Sequence, residues 1–281
     1  MAAELAARAV LAAVVDAPPQ KGSAARFWSA VWPKLGAVAL VLVVWQLVVW
    51  SGWRPQSVLP GPIPVLQRLG AGLGDLDFYA GIGTTLRRAL VGYAFAAGIG
   101  VGVAILVARI RLLRRAVAAL LVGLQSMPSI AWFPFAVLLL ARTEGAITFV
   151  VVLGAAPAIA AGLLSGIDHV EPMQLRVGRS MGADGLQLYR HVILPAALPA
   201  LVGGLKQGWA FAWRSLMSAE LLVAAGASLG VQLQAARSSG DTRQLLAVMI
   251  VICLIGVIVD GIFGSVERSV RTRWGLVGGE A

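Results

Sequence analysis

The sequence predicts an all-α integral membrane protein with about six transmembrane helices. Hydrophobic residues make up 59% of its 281 residues and charged residues only 13%, whereas a soluble domain carries about 25% charged residues. The apolar residues gather in six runs, each long enough for the roughly 20-residue helix that crosses a bilayer. The single cysteine, Cys253, cannot form an internal disulfide. These observations exclude a soluble domain, a disordered chain and a disulfide-rich secreted domain.

The six apolar runs define the predicted spans in chain order. Four of them contain no charged residue and cover 35–53, 89–108, 116–141 and 145–167. The fifth span, 192–225, carries three charged residues, and the sixth, 244–266, carries one. The predicted transmembrane domain therefore covers residues 35–266, between an N-terminal tail of residues 1–34 and a C-terminal tail of residues 267–281.

The basic residues predict that both tails lie in the cytoplasm, because Lys and Arg are enriched in cytoplasmic loops. With the N-terminus inside, 14 of the 23 basic residues fall in inner segments, 7 in outer segments and the other two within a span. The tightest inner cluster consists of Arg109, Arg111, Arg114 and Arg115. Topology and contact with anionic lipid thus explain the net charge of +10 without a nucleic-acid partner.

The inner segment 168–195 is predicted to have a structure of its own. Asp168, followed by Glu171 and Pro172, is typical of a helix start. Apolar residues then recur at helical spacing as far as Gly182, and a second short helix is predicted after it. Two short helices joined at a glycine suit a protrusion that fits a groove in a partner protein. A linker that lies along the membrane without a partner is the alternative.

Residues 178–205 resemble the cytoplasmic signature of ABC importer permeases, which reads E-A-A, three residues, G, nine residues, I-x-L-P. Gly182 stands at the glycine of this signature, and the run Val192 to Pro195 stands at its I-x-L-P end. Three further strings support the resemblance: SVLPGPIPV at 57–65, LQSMPSIAWFPFAVLL at 124–139 and SAELL at 218–222. The whole pattern is most similar to the permeases of sulfonate, taurine, nitrate and bicarbonate importers.

The resemblance implies the fold of a type I ABC importer permease, whose loop at 168–195 inserts between the lobes of a cytoplasmic ATPase. Gly182 would allow the bend between the two short helices. The other residues expected around the ATPase contact and at the end of the motif are Arg179, Met181, Ala183, Leu194 and Pro195. Arg176, Val177 and Gly178 occupy the family's E-A-A positions, so that a basic residue replaces the acidic one.

The resemblance also implies partners. A second copy of the chain would complete one translocation path, an ABC ATPase dimer would drive it, and an extracytoplasmic solute-binding protein would deliver the solute to the plasma (inner) membrane. The chain has no G-x-x-x-x-G-K-[ST] loop for nucleotide phosphates, so ATP and Mg are expected in the partner ATPase. No cofactor, metal site or catalytic residue is expected in this chain. The expected cargo is a small oxyanion, first an aliphatic sulfonate, then taurine, nitrate or bicarbonate.

Polar residues inside the spans mark the predicted translocation path. Charged side chains in a membrane are costly and usually face the bundle interior or water. Arg214 and Ser218 share a helix face at i, i+4, and a guanidinium suits the oxygens of a sulfonate, nitrate or carboxylate. Pairing of Arg214 with Glu220 and snorkelling to the outer interface are the alternatives.

Two further groups of polar residues lie within the spans. Gln125, Ser126 and Ser129 cluster around a proline in the third span, which indicates a polar cavity wall at a kink; local hydrogen bonding that repairs the helix is the alternative. Lys206 and Asp260 lie at similar depths in the fifth and sixth spans. They are expected to pair and fix helix packing, with a role in transport as the alternative.

Two other function classes remain open on the sequence. A secondary transporter would work without an ATPase, and a membrane scaffold subunit would leave transport to other chains. Internal repeats and a carboxylate proton relay would favour the secondary transporter, and neither is evident in the sequence.

Overall fold

The computed structural model of the protein describes residues 23–108, 110–141, 143–223 and 226–275. Every regular element in these ranges is helical, which confirms the predicted all-α fold. The molecule divides between Pro62 and Ile63 into two compact units. Residues 1–22 and 276–281 of the predicted tails, and Arg109 of the predicted basic cluster, lie outside the described ranges.

The first unit contains one long helix, α1 (Ser23–Trp50). Its stretch from Trp32 to Trp50 is apolar and long enough to cross a membrane. α1 begins at Ser23 rather than near Leu35, so residues 23–34 of the predicted tail are helical. Near the end of α1, the Nε1 of Trp45 donates a hydrogen bond of 3.1 Å to the carbonyl oxygen of Pro60. This bond ties the turn that follows the helix back to α1.

The helix α2 (Pro62–Gly72) begins at the boundary residue Pro62, and its other residues and the helix α3 (Leu76–Ala108) belong to the second unit. α2 was not predicted from the sequence. Pro62 and Pro64 are nevertheless compatible with its first turn, where the missing N–H would have no intrahelical acceptor. α3 is 33 residues long, and the predicted span 89–108 is only its second half.

The third span is broken rather than kinked. It consists of α4 (Arg111–Ser126), a 3₁₀ turn (Ser129–Trp132) and α5 (Phe133–Leu140), and its two arms meet at 93°. Pro128 has no N–H to continue the ladder of α4, and it disfavours helical backbone at the residue before it. Met127 accordingly adopts an extended conformation, with φ −91° and ψ 130°.

The central helix of the second unit is α6 (Glu144–Asp168), which packs between α3 and α9 (Leu194–Leu222). Small residues let the backbones approach closely, as is usual between membrane helices. A Cβ added to Gly162 would lie 2.6 Å from the Cα of Gly204, so any side chain here would force α6 and α9 apart.

The segment between α6 and α9 forms two short helices, α7 (Pro172–Ser180) and α8 (Gly185–Leu188), in agreement with the prediction. The predicted helix start at Asp168 is wrong, because α6 continues to that residue. Its carboxylate instead forms an ion pair of 2.9 Å with Arg114. α7 begins after Glu171, which has extended backbone and makes no side-chain cap.

A π-helical turn (Tyr189–Ile193) joins α8 directly to α9. In this turn the N–H of Leu194 bonds to the carbonyl oxygen of Tyr189, five residues earlier. Pro195, in the first turn of α9, has no N–H and cannot supply the ordinary helical bond. As a result, residues 185–222 form one continuous helical span of 38 residues.

The second unit ends with α10 (Leu229–Ser239), which was not predicted, and α11 (Thr242–Arg273), which runs past the predicted boundary at Val266. Ser228 caps α10 by accepting from the N–H of Val231. Five helices are long and apolar enough to cross a membrane, and the bent pair of α4 and α5 makes up to six. This number agrees with the predicted six spans.

Candidate functional site

The break in the third span helps to form a polar cavity. The cavity has a volume of about 290 Å³ and lies between the end of α4, the 3₁₀ turn, α6 and α9. All five residues predicted for a translocation path line it: Gln125, Ser126, Ser129, Arg214 and Ser218. Gly154 and Ser215 also line the cavity and were not predicted. Helical spacing could have found Ser215, because it precedes Ser218 by three residues and so lies on a neighbouring part of the same helix face.

Arg214 gives the cavity its positive charge. Its Nε donates to the carbonyl oxygen of Ala210 at 3.1 Å, and its Cζ lies 5.2 Å from the ring centre of Phe211. The expected alternative of a pair with Glu220 is wrong, since that carboxylate binds Arg88. Arg214 is exposed, and neither Nη atom has a hydrogen-bond partner within the described ranges, so both are available to an anion.

The hydroxyl and amide groups around the cavity bond mainly to their own helices. Ser218 Oγ donates to the carbonyl oxygen of Arg214 at 2.9 Å, Ser126 Oγ to that of Gly123 at 2.8 Å, and Gln125 Nε2 to that of Leu121 at 3.3 Å. The local hydrogen bonding considered for Gln125 and Ser126 is therefore present, although both also line the cavity. The exception is Ser129, whose Oγ lies 2.6 Å from the Oγ of Ser215 on α9.

Gly154 of α6 provides the space for this hydroxyl pair. A Cβ at Gly154 would overlap the Oγ of Ser215 and lie 3.2 Å from the Oγ of Ser129. Overpacking of this kind costs about 1–3 kcal/mol. We expect Gly154→Ala to lower the free energy of unfolding by that amount, and Ser215→Ala in the same chain to recover part of it by removing the overlapping oxygen.

Thermal unfolding of the purified chain in detergent measures this effect. The matched control is Gly203→Ala, because a Cβ at Gly203 would meet nothing within 4 Å. Equal stability of the Gly154→Ala and Gly203→Ala variants would show that the space around Ser215 is not restricted.

A buried charge cluster lies at the end of α6 away from the 168–195 loop. Arg88 of α3 forms ion pairs with Glu144 at the start of α6 and, at 3.0 Å, with Glu220 near the end of α9. Glu220 is completely buried and Arg88 is 6% exposed. Thr85 donates to Glu220 at 3.0 Å. One guanidinium thus links three helices. Its pair with Glu220 is buried, where little water can screen the charges, whereas Glu144 is exposed.

The same cluster holds the start of α10. Glu220 accepts a hydrogen bond of 3.1 Å from the N–H of Gly230, and Thr85 accepts one of 3.0 Å from the N–H of Leu229. These N–H groups have no acceptor within their own helix, and the helix dipole favours a negative charge beside them. The cluster was not predicted, because the predicted second span begins at residue 89 and therefore leaves Arg88 outside it.

Lys206 has a different partner from the one predicted. Its Nζ lies 3.3 Å from an Oε of Glu267, while Asp260 is exposed. The two acidic residues are seven positions apart on α11, which places them on the same face about 10 Å apart along the axis. The expected pair with Asp260 is therefore wrong, and the longer α11 supplies the carboxylate that lies within reach.

The 168–195 loop presents apolar side chains to its surroundings. Met181 is 82% exposed, and Arg179 and Gly182 are also exposed, whereas Ala183, Leu194 and Pro195 are half-buried. Three further exposed apolar residues of the loop are Met173, Val177 and Leu186. Trp274, which follows α11, lines a pocket together with Met173, Val177 and Met181. Gly182 has φ +83° and its N–H bonds to the carbonyl oxygen of Arg179, so it forms the bend between α7 and α8.

Comparison with known proteins gives a consistent set of relatives. The nitrate import permease protein NrtB of Synechocystis sp. is 27% identical over 83% of this chain and 87% of that protein. The taurine transport system permease protein TauC of Escherichia coli is 27% identical over 85% and 88%, respectively. The putative aliphatic sulfonates transport permease protein SsuC of Escherichia coli is 26% identical over 83% and 88%.

Structural comparison confirms the predicted fold. A chain of the inward-facing MetNI methionine ABC transporter aligns with a TM-score of 0.60 and 22% identity, covering 69% of this chain and 96% of that one. Residues 94–272 match the family described as "binding-protein-dependent transport system inner membrane component", which is more than half of the chain. The chain therefore belongs to this family, the multi-pass inner-membrane permease components of ABC importers.

Proposed function

We propose that this permease imports a small oxyanion, with an aliphatic sulfonate as the first candidate and taurine, nitrate or bicarbonate next. The observation that carries the proposal is the exposed guanidinium of Arg214 in a cavity that also contains the hydroxyls of Ser129, Ser215 and Ser218. The planar guanidinium presents pairs of N–H donors that can bind two oxygens of such an anion at once. The names of the relatives point the same way, since nitrate, taurine and aliphatic sulfonates all present an oxyanion.

Two copies of the chain would enclose one translocation path, with both termini of each copy in the cytoplasm. The bias of basic residues towards the predicted inner segments supports this orientation. An extracytoplasmic binding protein would deliver the anion, and a separate ATPase dimer would hydrolyse ATP with Mg. The 168–195 loop would contact the ATPase. Its exposed methionines support this role, because contiguous exposed apolar residues are typical of an interaction surface.

The partners can be tested by purifying the tagged chain from its native membranes in mild detergent. We expect one ATPase subunit for each permease chain and two permease chains in each complex. A homo-oligomer without an ATPase, reproduced after crosslinking, would contradict the proposed assembly.

The cargo can be tested by reconstituting the purified complex and its binding protein into proteoliposomes. Uptake of labelled ethanesulfonate, taurine, nitrate and bicarbonate is measured with ATP inside or absent, and methionine serves as a solute with a different headgroup. We expect saturable, ATP-dependent uptake of at least one sulfonate. Uptake of methionine with none of the four anions would contradict the proposal.

Gly182→Pro is expected to abolish ATP-driven uptake while the chain still inserts and assembles. Proline cannot adopt φ +83° and lacks the N–H that bonds to Arg179. The control is Gly182→Asn, because asparagine tolerates positive φ better than most residues. Uptake and ATP hydrolysis are compared in the same proteoliposomes. Normal uptake by the proline variant would remove the 168–195 loop from the coupling mechanism.

A further inference from the structure

The hydroxyl pair of Ser129 and Ser215 connects two elements that both border the cavity. Ser129 opens the 3₁₀ turn at the break of the third span, and Ser215 lies on α9 beside Arg214. Their oxygens are 2.6 Å apart, so one hydroxyl donates its proton to the other. Ser215 is 4% exposed, and the free space beside Gly154 is what allows its oxygen to face Ser129.

The number of available protons limits what this pair can do. A hydroxyl has one proton, and the bond between the two serines uses one of the two protons present. An anion in the cavity can receive a hydrogen bond from both serines only if the bond between them opens. A hydrogen bond to an anion is roughly twice as strong as one between neutral groups, so an occupied cavity favours the open arrangement.

The neighbouring hydroxyl donors do not connect one element to another. Ser126 and Ser218 each give their proton to a carbonyl oxygen of their own helix. Losing either of those bonds would leave the contact between the 3₁₀ turn and α9 unchanged. The Ser129–Ser215 bond, by contrast, crosses from one element to the other.

We propose that this bond is a solute-sensitive contact: it holds the 3₁₀ turn against α9 in the empty cavity and opens when an oxyanion accepts hydrogen bonds from both serines. The inference rests on the proposed function of the cavity and adds a response to occupancy. Binding of the anion releases the broken span from the helix that carries Arg214. Gly154 permits the contact without taking part in it.

A double-mutant cycle on the purified full-length chain in detergent tests this proposal. The melting temperature Tm is measured for the unsubstituted chain, Ser129→Ala, Ser215→Ala and the double variant, in sodium chloride and in sodium ethanesulfonate at equal ionic strength. Without ethanesulfonate, either single substitution removes the same bond. We expect each to lower Tm by about 2–4 °C and the double substitution to lower it no further.

With saturating ethanesulfonate, each serine should bind the anion separately, so the two effects on Tm become additive. Ser126→Ala, the control, should be additive with Ser215→Ala in both solutions. Suppose that ethanesulfonate raises Tm in a way that depends on Arg214, but the effects of Ser129→Ala and Ser215→Ala remain equally non-additive with and without it. This result would overturn the solute-sensitive contact and leave the proposed cavity function intact. Failure of every one of the four proposed anions to raise Tm overturns the proposed cavity function as well.

Discussion

Arg214→Ala is expected to lower the initial rate of sulfonate uptake about 10- to 100-fold. A hydrogen bond to a charged group contributes about 1.5–3 kcal/mol, and each 1.4 kcal/mol or so corresponds to a factor of ten. Arg214 is exposed on α9, and its side chain contacts residues of its own helix, the carbonyl oxygen of Ala210 and the ring of Phe211, so its removal should not destabilise the helix bundle. The measurement is uptake of labelled ethanesulfonate at subsaturating concentration in proteoliposomes that contain the complete transporter.

Two further variants test whether the effect depends on the guanidinium group of Arg214. Arg214→Lys keeps the positive charge but loses the planar guanidinium with its paired N–H donors. We therefore expect a rate of uptake between the rates of the alanine variant and the unsubstituted chain. Arg237→Ala removes an exposed arginine at the end of α10, away from the cavity lining, and should leave uptake unchanged. Equal uptake by the Arg214→Ala and Arg237→Ala variants would exclude Arg214 from the translocation path.

Arg88→Ala is expected to cost about 3–5 kcal/mol in the free energy of unfolding, the usual cost of breaking a buried ion pair by removing one partner. The substitution leaves Glu220 as a completely buried carboxylate, whose remaining donors among the described residues are Thr85 and the N–H of Gly230. Such a loss should appear as a lower Tm, less folded protein in the membrane, or both. Thermal unfolding in detergent and size-exclusion chromatography measure the two effects.

The adjacent residue provides the matched control for this prediction. Arg87 is exposed, so Arg87→Ala should change the stability by no more than about 0.5 kcal/mol. If Arg88→Ala yields no folded protein, Arg88→Lys keeps the positive charge and should give a folded chain of intermediate stability. Equal Tm values for Arg87→Ala and Arg88→Ala would mean that the buried cluster does not stabilise the fold.

The sequence was sufficient to predict the spans and much of the cavity lining. Long apolar runs identify membrane helices by composition alone, and polar residues inside such runs stand out from their neighbours. Arg214 and Ser129 were found in this way, although they lie on elements far apart in the chain. What brings them together is the sharp turn at Pro128, and a proline indicates only that a helix changes direction, without giving the angle.

The charge pairs could not be predicted from the sequence. Arg88 and Glu220 are 132 positions apart, and their contact depends on how α3 and α9 pack against α6. Lys206 could have paired with Asp260 or Glu267, which share a face of α11, and residue spacing does not distinguish them. α10 was not predicted. Its first turn is stabilised by the cap at Ser228 and also by Glu220 from another helix, and residue spacing does not reveal the second contact.

The π-helical turn before α9 has a mechanical consequence. Because residues 185–222 form one uninterrupted helical span, Gly185 and Arg214 lie about 44 Å apart along it, at a rise of about 1.5 Å per residue. A movement of the loop near Gly185 would therefore be passed along a single helical span towards Arg214. A rotation of this span about its axis would change the direction in which the guanidinium of Arg214 faces the cavity.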